Sequence, residues 1–174
     1  MSDEQDALER AKAGDGLAFE EMLAPVLDPA FRLAMTMLND RGAAEDAVQE
    51  AALNAWRKLG QFRTGSVLRP WFLAIVANEC RSARRLRWWR VLKFPDLRAD
   101  SAAPQDTWAE RVDLDAALER LAPHHLLALS LYYHLDLPIE EVARVLGCSE
   151  GAARQRIHRA LAAIRPGLVM GVDG

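Results

Sequence analysis

An all-α fold is what this 174-residue sequence predicts, and three features predict it. Its aliphatic content is dominated by Leu and Ala, its β-branched residues never gather into alternating runs, and its apolar positions recur at helical spacing. That spacing breaks off over residues 94–107, so two small helical domains joined by a flexible linker are expected, spanning 1–93 and 108–174. Half of the chain is apolar, enough for each to bury a core.

Asp3 to Ala13 is helical in character and stops at Gly14-Asp15-Gly16. Phe19, Met22, Leu23, Val26 and Leu27 then keep helical spacing across Pro25, and Phe31, Ala34, Met35 and Leu38 resume one apolar face beyond Pro29. This reads as one kinked helix or as two. Asn39-Asp40-Arg41-Gly42 reads as a turn, after which Ala47, Val48, Ala51, Ala52, Ala55, Trp56 and Leu59 mark the inner stripe of an amphipathic helix. Gln61 to Ser66 is expected to be a mobile polar loop, with Pro70 in the first turn of a helix that runs through Arg90.

In the second domain Trp108 to Leu121 returns to helical spacing, and Pro123 opens a helix carrying Leu126, Leu127, Leu129, Leu131 and Tyr132. Leu137 to Arg165 then reads as a helix-turn-helix. Pro138 suits the start of its first helix, whose face of Ile139, Val142, Ala143 and Leu146 can pack on the next; Gly147 can close that helix and Ser149 can cap its successor. In the second helix Ala153, Ile157, Ala160, Leu161 and Ile164 form the inward stripe. Arg154, Gln155, His158 and Arg159 project outward, with Arg156 and Arg165 nearer the flanks. Arginine can pair with guanine edges, glutamine with adenine, and flanking arginines with phosphates, so this is the side-chain chemistry of a major-groove recognition helix.

Net charge is −3, so the total implies no general attraction to polyanions, but the charge is unevenly placed. Acids outnumber bases from Met1 to Lys58. Arg81, Arg84, Arg85, Arg87, Arg90 and Lys93 then follow without an acid, and Arg154 to Arg165 is acid-free too. Such asymmetry suits one protein partner and one polyanionic partner. The first arginine run is interleaved with Trp71, Phe72, Trp88 and Trp89; stacking aromatics with phosphate-neutralising arginines is how proteins hold single-stranded DNA. Trp71 and Phe72, at helical spacing with Ile75 and Val76, are assigned to the core instead, leaving the arginines as DNA contacts.

Cys80 and Cys148 stand far apart without a further Cys or His at zinc spacing, and His124-His125 reads as a partly exposed helix start. No metal, no cofactor and no catalytic residues are expected, so the chain is read as a non-enzyme. No apolar stretch reaches the roughly 20 residues needed to span a bilayer, and no signal peptide is evident, so a cytoplasmic protein without membrane insertion is expected.

Together these motifs resemble the bacterial extracytoplasmic-function sigma factors, the smallest members of the sigma-70 family. Ala44-Glu45-Asp46-Ala47-Val48-Gln49-Glu50-Ala51 with Ala55-Trp56 is similar to the family's region 2.2, which docks on the β′ clamp helices of RNA polymerase. Pro70 to Glu79 and the arginine run look like regions 2.3 and 2.4, and Leu137 to Arg165 looks like region 4.2. The resemblance implies Glu45, Asp46, Gln49 and Glu50 as contacts to core polymerase. It implies Asn78 as the holder of a flipped minus-10 base, beside Arg81, Arg84, Arg85 and Arg87 on minus-10 DNA. It also implies Gln155, His158 and Arg159 on minus-35 bases, with Arg154 and Arg156 on phosphates.

Two positions depart from the family pattern. Its usual Thr-Val pair is Ala152-Ala153 here, and the arginine near the start of region 4 is replaced by His124-His125. The implied function is to bind core polymerase, with the β flap as a second contact, to recognise the minus-10 and minus-35 promoter elements, and to initiate transcription under the control of an anti-sigma factor. The family's short form ends soon after region 4.2, so no C-terminal sensory domain is expected. The residues alone leave two alternatives: a stand-alone helix-turn-helix regulator with an N-terminal dimerisation domain, and a sigma-like decoy protein.

Overall fold

The computed structural model describes residues 2–93, 118 and 120–168, with side chains over 5–86, 118 and 120–164. Every regular element among them is helical. The expected linker at 94–107, and most of the helix expected from Trp108, lie outside the described residues. Backbone contacts divide the chain into two compact units, Met1–Arg84 and Arg85–Gly174.

The first unit opens with α1 (Ser2–Lys12), which buries Leu8 and Ala11. Gly14 takes a φ of +100°, and Asp15 caps α2 (Gly16–Leu38) by accepting the Ala18 amide at 3.1 Å. Arg10 reaches back to the same carboxylate through Nε at 2.9 Å and Nη2 at 2.6 Å, so one aspartate fixes both the end of α1 and the start of α2. Pro25 and Pro29 do not divide α2. Their missing amides would have served the carbonyls of Glu21 and Pro25, two exposed positions where water can take their place.

Asn39 ends α2 in the left-handed region, its amide donating to the Met35 carbonyl at 2.8 Å. Asp40 at once caps α3 (Arg41–Lys58) through the Ala43 amide at 2.9 Å. The stretch expected as a turn is thus two adjoining helix caps, with Arg41 and Gly42 already inside α3. The buried stripe of α3 is Ala44, Ala47, Ala51 and Ala55. Trp56, assigned to that stripe from spacing, is 36% exposed and rests edge-on against Phe19 with ring centroids 5.0 Å apart. Small side chains let α2 and α3 approach closely, and an indole has room only at the rim of such a contact.

A 3-10 turn (Leu59–Gln61) leads to Phe62, which is buried and packs at a tilt against Trp71, ring centroids 4.9 Å apart. The loop expected to be polar and mobile is therefore pinned by an aromatic. In α4 (Leu68–Lys93), Phe72, Leu73, Val76 and Cys80 are completely enclosed, as the core assignment of Phe72 required, while Trp71 is half-buried. Fully burying such apolar side chains stabilises the unit by about 2 kcal/mol each before entropy is counted.

In the second unit α5 (Pro123–Leu129) begins on proline, whose missing amide costs nothing there. It continues as a π-helical turn (Ser130–His134), closed by the Leu135 amide on the Ser130 carbonyl at 2.9 Å. Ser130 is the buried polar side chain of this core, and its hydroxyl donates to the Leu126 carbonyl at 2.7 Å. Tyr132, expected on the apolar face, is 38% exposed because the wider π turn rotates it outward, where it meets Tyr133 edge-to-face.

Then follow α6 (Ile139–Leu146) and α7 (Glu150–Leu168), with α5 and α6 both packed on α7. Pro138 is the residue before α6, its N-cap, rather than a member of it. Val142, Ala143 and Val145 are buried from α6, Ile139 and Leu146 only partly; Val145 is a core position that the spacing had not marked. Ala153, Ile157, Ala160 and Ile164 are buried from α7, with Leu161 at the margin.

Candidate nucleic-acid and polymerase surfaces

The turn between α6 and α7 is set by local chemistry. Gly147 adopts φ 64° and ψ 38°; its amide donates to the Arg144 carbonyl at 3.2 Å, while the Cys148 amide donates to the Ala143 carbonyl at 3.0 Å. These paired bonds are a Schellman closure, which satisfies carbonyls that the end of a helix leaves open. Ser149 Oγ then accepts the Ala152 amide at 3.3 Å and starts α7. Two helices joined by so short a turn are held at a fixed angle.

On α7 the residues expected to face outward do so: Arg154, Gln155, His158 and Arg159 are exposed, and Arg156 is half-buried. The Arg165 side chain lies outside the described residues. Arg154 makes an i,i+4 ion pair with Glu150 at 3.6 Å between two exposed groups. Such a pair is weak and can exchange for a phosphate. On the neighbouring α5, the His124 and His125 rings meet at a tilt with centroids 4.2 Å apart. Partial burial first, and then the charges of His124, Arg156 and Arg159, hold His125 below the ordinary histidine range.

Along α4, Asn78, Arg81 and Arg85 recur at i, i+3 and i+7 and are exposed, so they share one face. Arg81 is steadied by its own helix, with Nε on the Ala77 carbonyl at 3.2 Å. Arg84 is not on that face. It is half-buried, and its Nη1 donates to the Met37 carbonyl at 3.3 Å near the end of α2. The sequence could not separate Arg84 from its neighbours, because its partner is far away in the chain. The Arg87 side chain lies outside the described residues.

Glu45, Asp46, Gln49 and Glu50 are all exposed on the outer face of α3, opposite the alanine stripe. Arg41 Nε sits 2.9 Å from Glu45. Leu53, 49% exposed, lies among these polar residues beside the half-exposed Trp56. Sequence reasoning passed over Leu53, although a leucine off the apolar stripe of an amphipathic helix is itself a signal of a contact surface. Asn54 Nδ2 donates to Glu79 Oε1 at 2.9 Å and ties this helix to α4.

A compact helical unit bearing exposed arginines, and a second carrying a helix-turn-helix, are the make-up of a DNA-binding protein. Residues 22–90 match the family model for sigma-70 region 2, and residues 111–164 match that for sigma-70 region 4. The chain is 31% identical to the RNA polymerase sigma factor CarQ of Myxococcus xanthus, over 91% of this chain and 93% of the relative. It is also 31% identical to the ECF RNA polymerase sigma factor SigM of Mycobacterium tuberculosis, over 86% and 76%. A probable RNA polymerase sigma factor of Xanthomonas campestris, RfaY, is 32% identical over 95% of this chain but longer, the chain spanning 44% of it.

Among solved structures, the sigma factor RpoE of Bartonella quintana, in complex with the anti-sigma factor NepR, is similar with a TM-score of 0.70 and 27% identity, over 90% of this chain and 98% of that one. The chain belongs to the extracytoplasmic-function RNA polymerase sigma factors. Members of that family are transcription initiation factors. No helix of the described residues is long and apolar enough to cross a membrane.

Proposed function

We propose that this sigma factor works as two DNA readers on one polymerase, with residues 1–93 and 108–174 as the domains and 94–107 as their linker. Glu45, Asp46, Gln49 and Glu50 dock α3 on the β′ clamp helices, with exposed Leu53 supplying apolar area among them. Asn78 takes a flipped minus-10 base while Arg81, Arg85 and Arg87 neutralise the strand's phosphates. Arg84 helps chiefly by holding the α2 and α4 ends together. In the second domain, which also meets the β flap, α7 enters the minus-35 major groove. There Gln155, His158 and Arg159 face base edges, and Arg154 and Arg156 face phosphates.

The observation that carries this reading is the helix-turn-helix itself, a turn closed at Gly147 and capped at Ser149 that leaves four polar residues exposed on one helix. The chain breaks no bond; catalysis belongs to polymerase, and the work is done in the cytoplasm. An anti-sigma factor is expected to hold the protein inactive, a reading supported by the similarity to RpoE, which was solved with NepR.

Run-off transcription with core polymerase, followed by genome-wide mapping of start sites, is the test. Initiation that requires this chain, lost on Glu50→Arg or Gln49→Arg, supports it. Tight binding of the free protein to a palindromic duplex without polymerase would overturn it in favour of a stand-alone regulator. Failure to initiate with core polymerase would mark a decoy.

A further inference from the structure

The apolar hold on α4 weakens where that helix is read as meeting DNA. Phe72, Leu73, Val76 and Cys80 are completely enclosed, but beyond Cys80 the side chains of Ser82, Ala83 and Arg84 are only half-buried, and Arg85 and Leu86 are exposed. Apolar packing is also non-directional, so it sets how closely a helix lies more strictly than how it is rolled about its own axis. Roll is where polar ties count, because a hydrogen bond depends steeply on distance and angle.

Two such ties reach α4 from different helices. On one side Glu79 Oε1 accepts from Asn54 Nδ2 of α3 at 2.9 Å, and Asn54 is itself oriented by Arg57 Nη1, which donates to its Oδ1 at 3.2 Å. On the other side Arg84 Nη1 donates to the Met37 carbonyl at 3.3 Å, one of the terminal carbonyls of α2 for which a helix has no partner of its own.

Glu79 and Arg84 are five residues apart, which at about 3.6 residues per turn sets them about 140° apart around the helix. Cys80 and Ala83 fall between them on the inward arc, while Asn78 and Arg81 lie exposed on the outward one. Each tie thus stands at one edge of the buried contact. A carboxylate facing outward beside an arginine run would repel a DNA strand; Glu79 is turned to α3 and holds the helix instead.

We propose that Glu79 and Arg84 are positioning residues for the minus-10 strand: their ties to Asn54 and Met37 lock the roll of α4 and so aim Asn78 and Arg81. This rests on the reading of α4 as the minus-10 helix and adds to it two residues that touch no DNA. A roll of about 15° carries an atom about 5 Å from the axis through about 1.3 Å, more than the roughly 0.5 Å within which binding groups must be held. Either tie alone leaves a pivot about which the helix can turn, so the lock takes both.

The test uses holoenzyme assembled from core polymerase and the full chain, with a fluorescein-labelled single strand carrying the minus-10 element of a mapped start site. Base discrimination is the affinity ratio between that strand and one altered at the base assigned to Asn78. Glu79→Ala and Arg84→Met should each weaken capture about tenfold and cut the discrimination ratio to about a third. Glu79→Gln keeps an acceptor for Asn54 and should restore most of both. The double variant Glu79→Ala, Arg84→Met should lose little more discrimination than either single one, since both ties restrain one motion.

The slope of log affinity against log salt separates aiming from contact. It should stay at the wild-type value in Arg84→Met, whereas Arg81→Met should make it shallower by about 0.7, the share of one phosphate on a single strand. A slope that falls equally in Arg84→Met makes Arg84 a phosphate contact and overturns its positioning role. Discrimination left intact in both single variants, or losses that simply add in the double one, overturns the roll lock, and a Glu79→Gln variant as poor as Glu79→Ala removes Glu79 from it. Wild-type discrimination in Asn78→Ala would instead overturn the parent reading of α4, and this proposal with it.

Discussion

Asn54 on α3 donates from Nδ2 to Oε1 of Glu79 on α4 across 2.9 Å, and both side chains are half-buried. The same amide accepts from Arg57 Nη1 at 3.2 Å, so Asn54 uses both ends. One hydrogen bond thereby joins the helix read as the polymerase contact to the helix read as the holder of the minus-10 strand. Removing it with Asn54→Ala leaves Glu79 half-buried without its donor and should cost about 1 to 2 kcal/mol in urea unfolding. Asn54→Asp should cost more near neutral pH, because two carboxylates would then face each other, and its deficit should shrink as acid protonates one of them. Equal losses for the two variants at every pH would mean that the bond contributes only packing.

Gly147 isolates a backbone effect from a steric one. A Cβ added there meets nothing within 4 Å, yet φ is +64°. Gly147→Ala should therefore destabilise the second unit by about 1 kcal/mol through conformation alone, and Gly147→Asn by less, since asparagine tolerates the left-handed region. Thermal unfolding of the full chain checks this, and a neutral Gly147→Ala would sink it.

Asp15 makes the first unit sensitive to acid. Its carboxyl is held below the usual value of 3.8, first by the Ala18 amide and then by Arg10. A group whose pKa is lower in the folded state binds fewer protons there than in the unfolded chain, so its stabilisation is complete above the unfolded value and is lost as pH falls through the folded one. The urea midpoint of the native chain should accordingly drop more steeply below about pH 4 than that of Asp15→Asn. The variant should be the less stable of the two near neutrality, because it keeps a capping oxygen but loses the charge facing Arg10. Parallel acid profiles would remove Asp15 from this account.

What could be read from the sequence was what neighbouring residues decide. Gly147 and Ser149 announce the turn within three positions, and the outward set Arg154, Gln155, His158 and Arg159 follows from helical period alone. Tertiary context decided the rest. Trp56 fits the apolar period, but the close α2 and α3 contact has room only for alanine. Phe62 is an isolated aromatic in a polar stretch, and nothing nearby in sequence reveals Trp71 as its support. Arg84 reads like Arg85 until Met37 is brought beside it. The helix across Pro25 and Pro29 stays whole because the carbonyls those prolines abandon lie at exposed positions, which period cannot show.

The two cysteines, silent in every role described so far, give the molecule a pair of internal clocks. Cys80 is fully enclosed, and burial pushes its thiol up to about 12, so iodoacetamide can reach a reactive thiolate only when α4 opens. Cys148 is half-buried in the turn between α6 and α7. Each unit thus carries its own label site, and the rates of alkylation time their openings separately in a single tube. Loosening the turn with Gly147→Ala should quicken the Cys148 clock while the Cys80 clock keeps its pace.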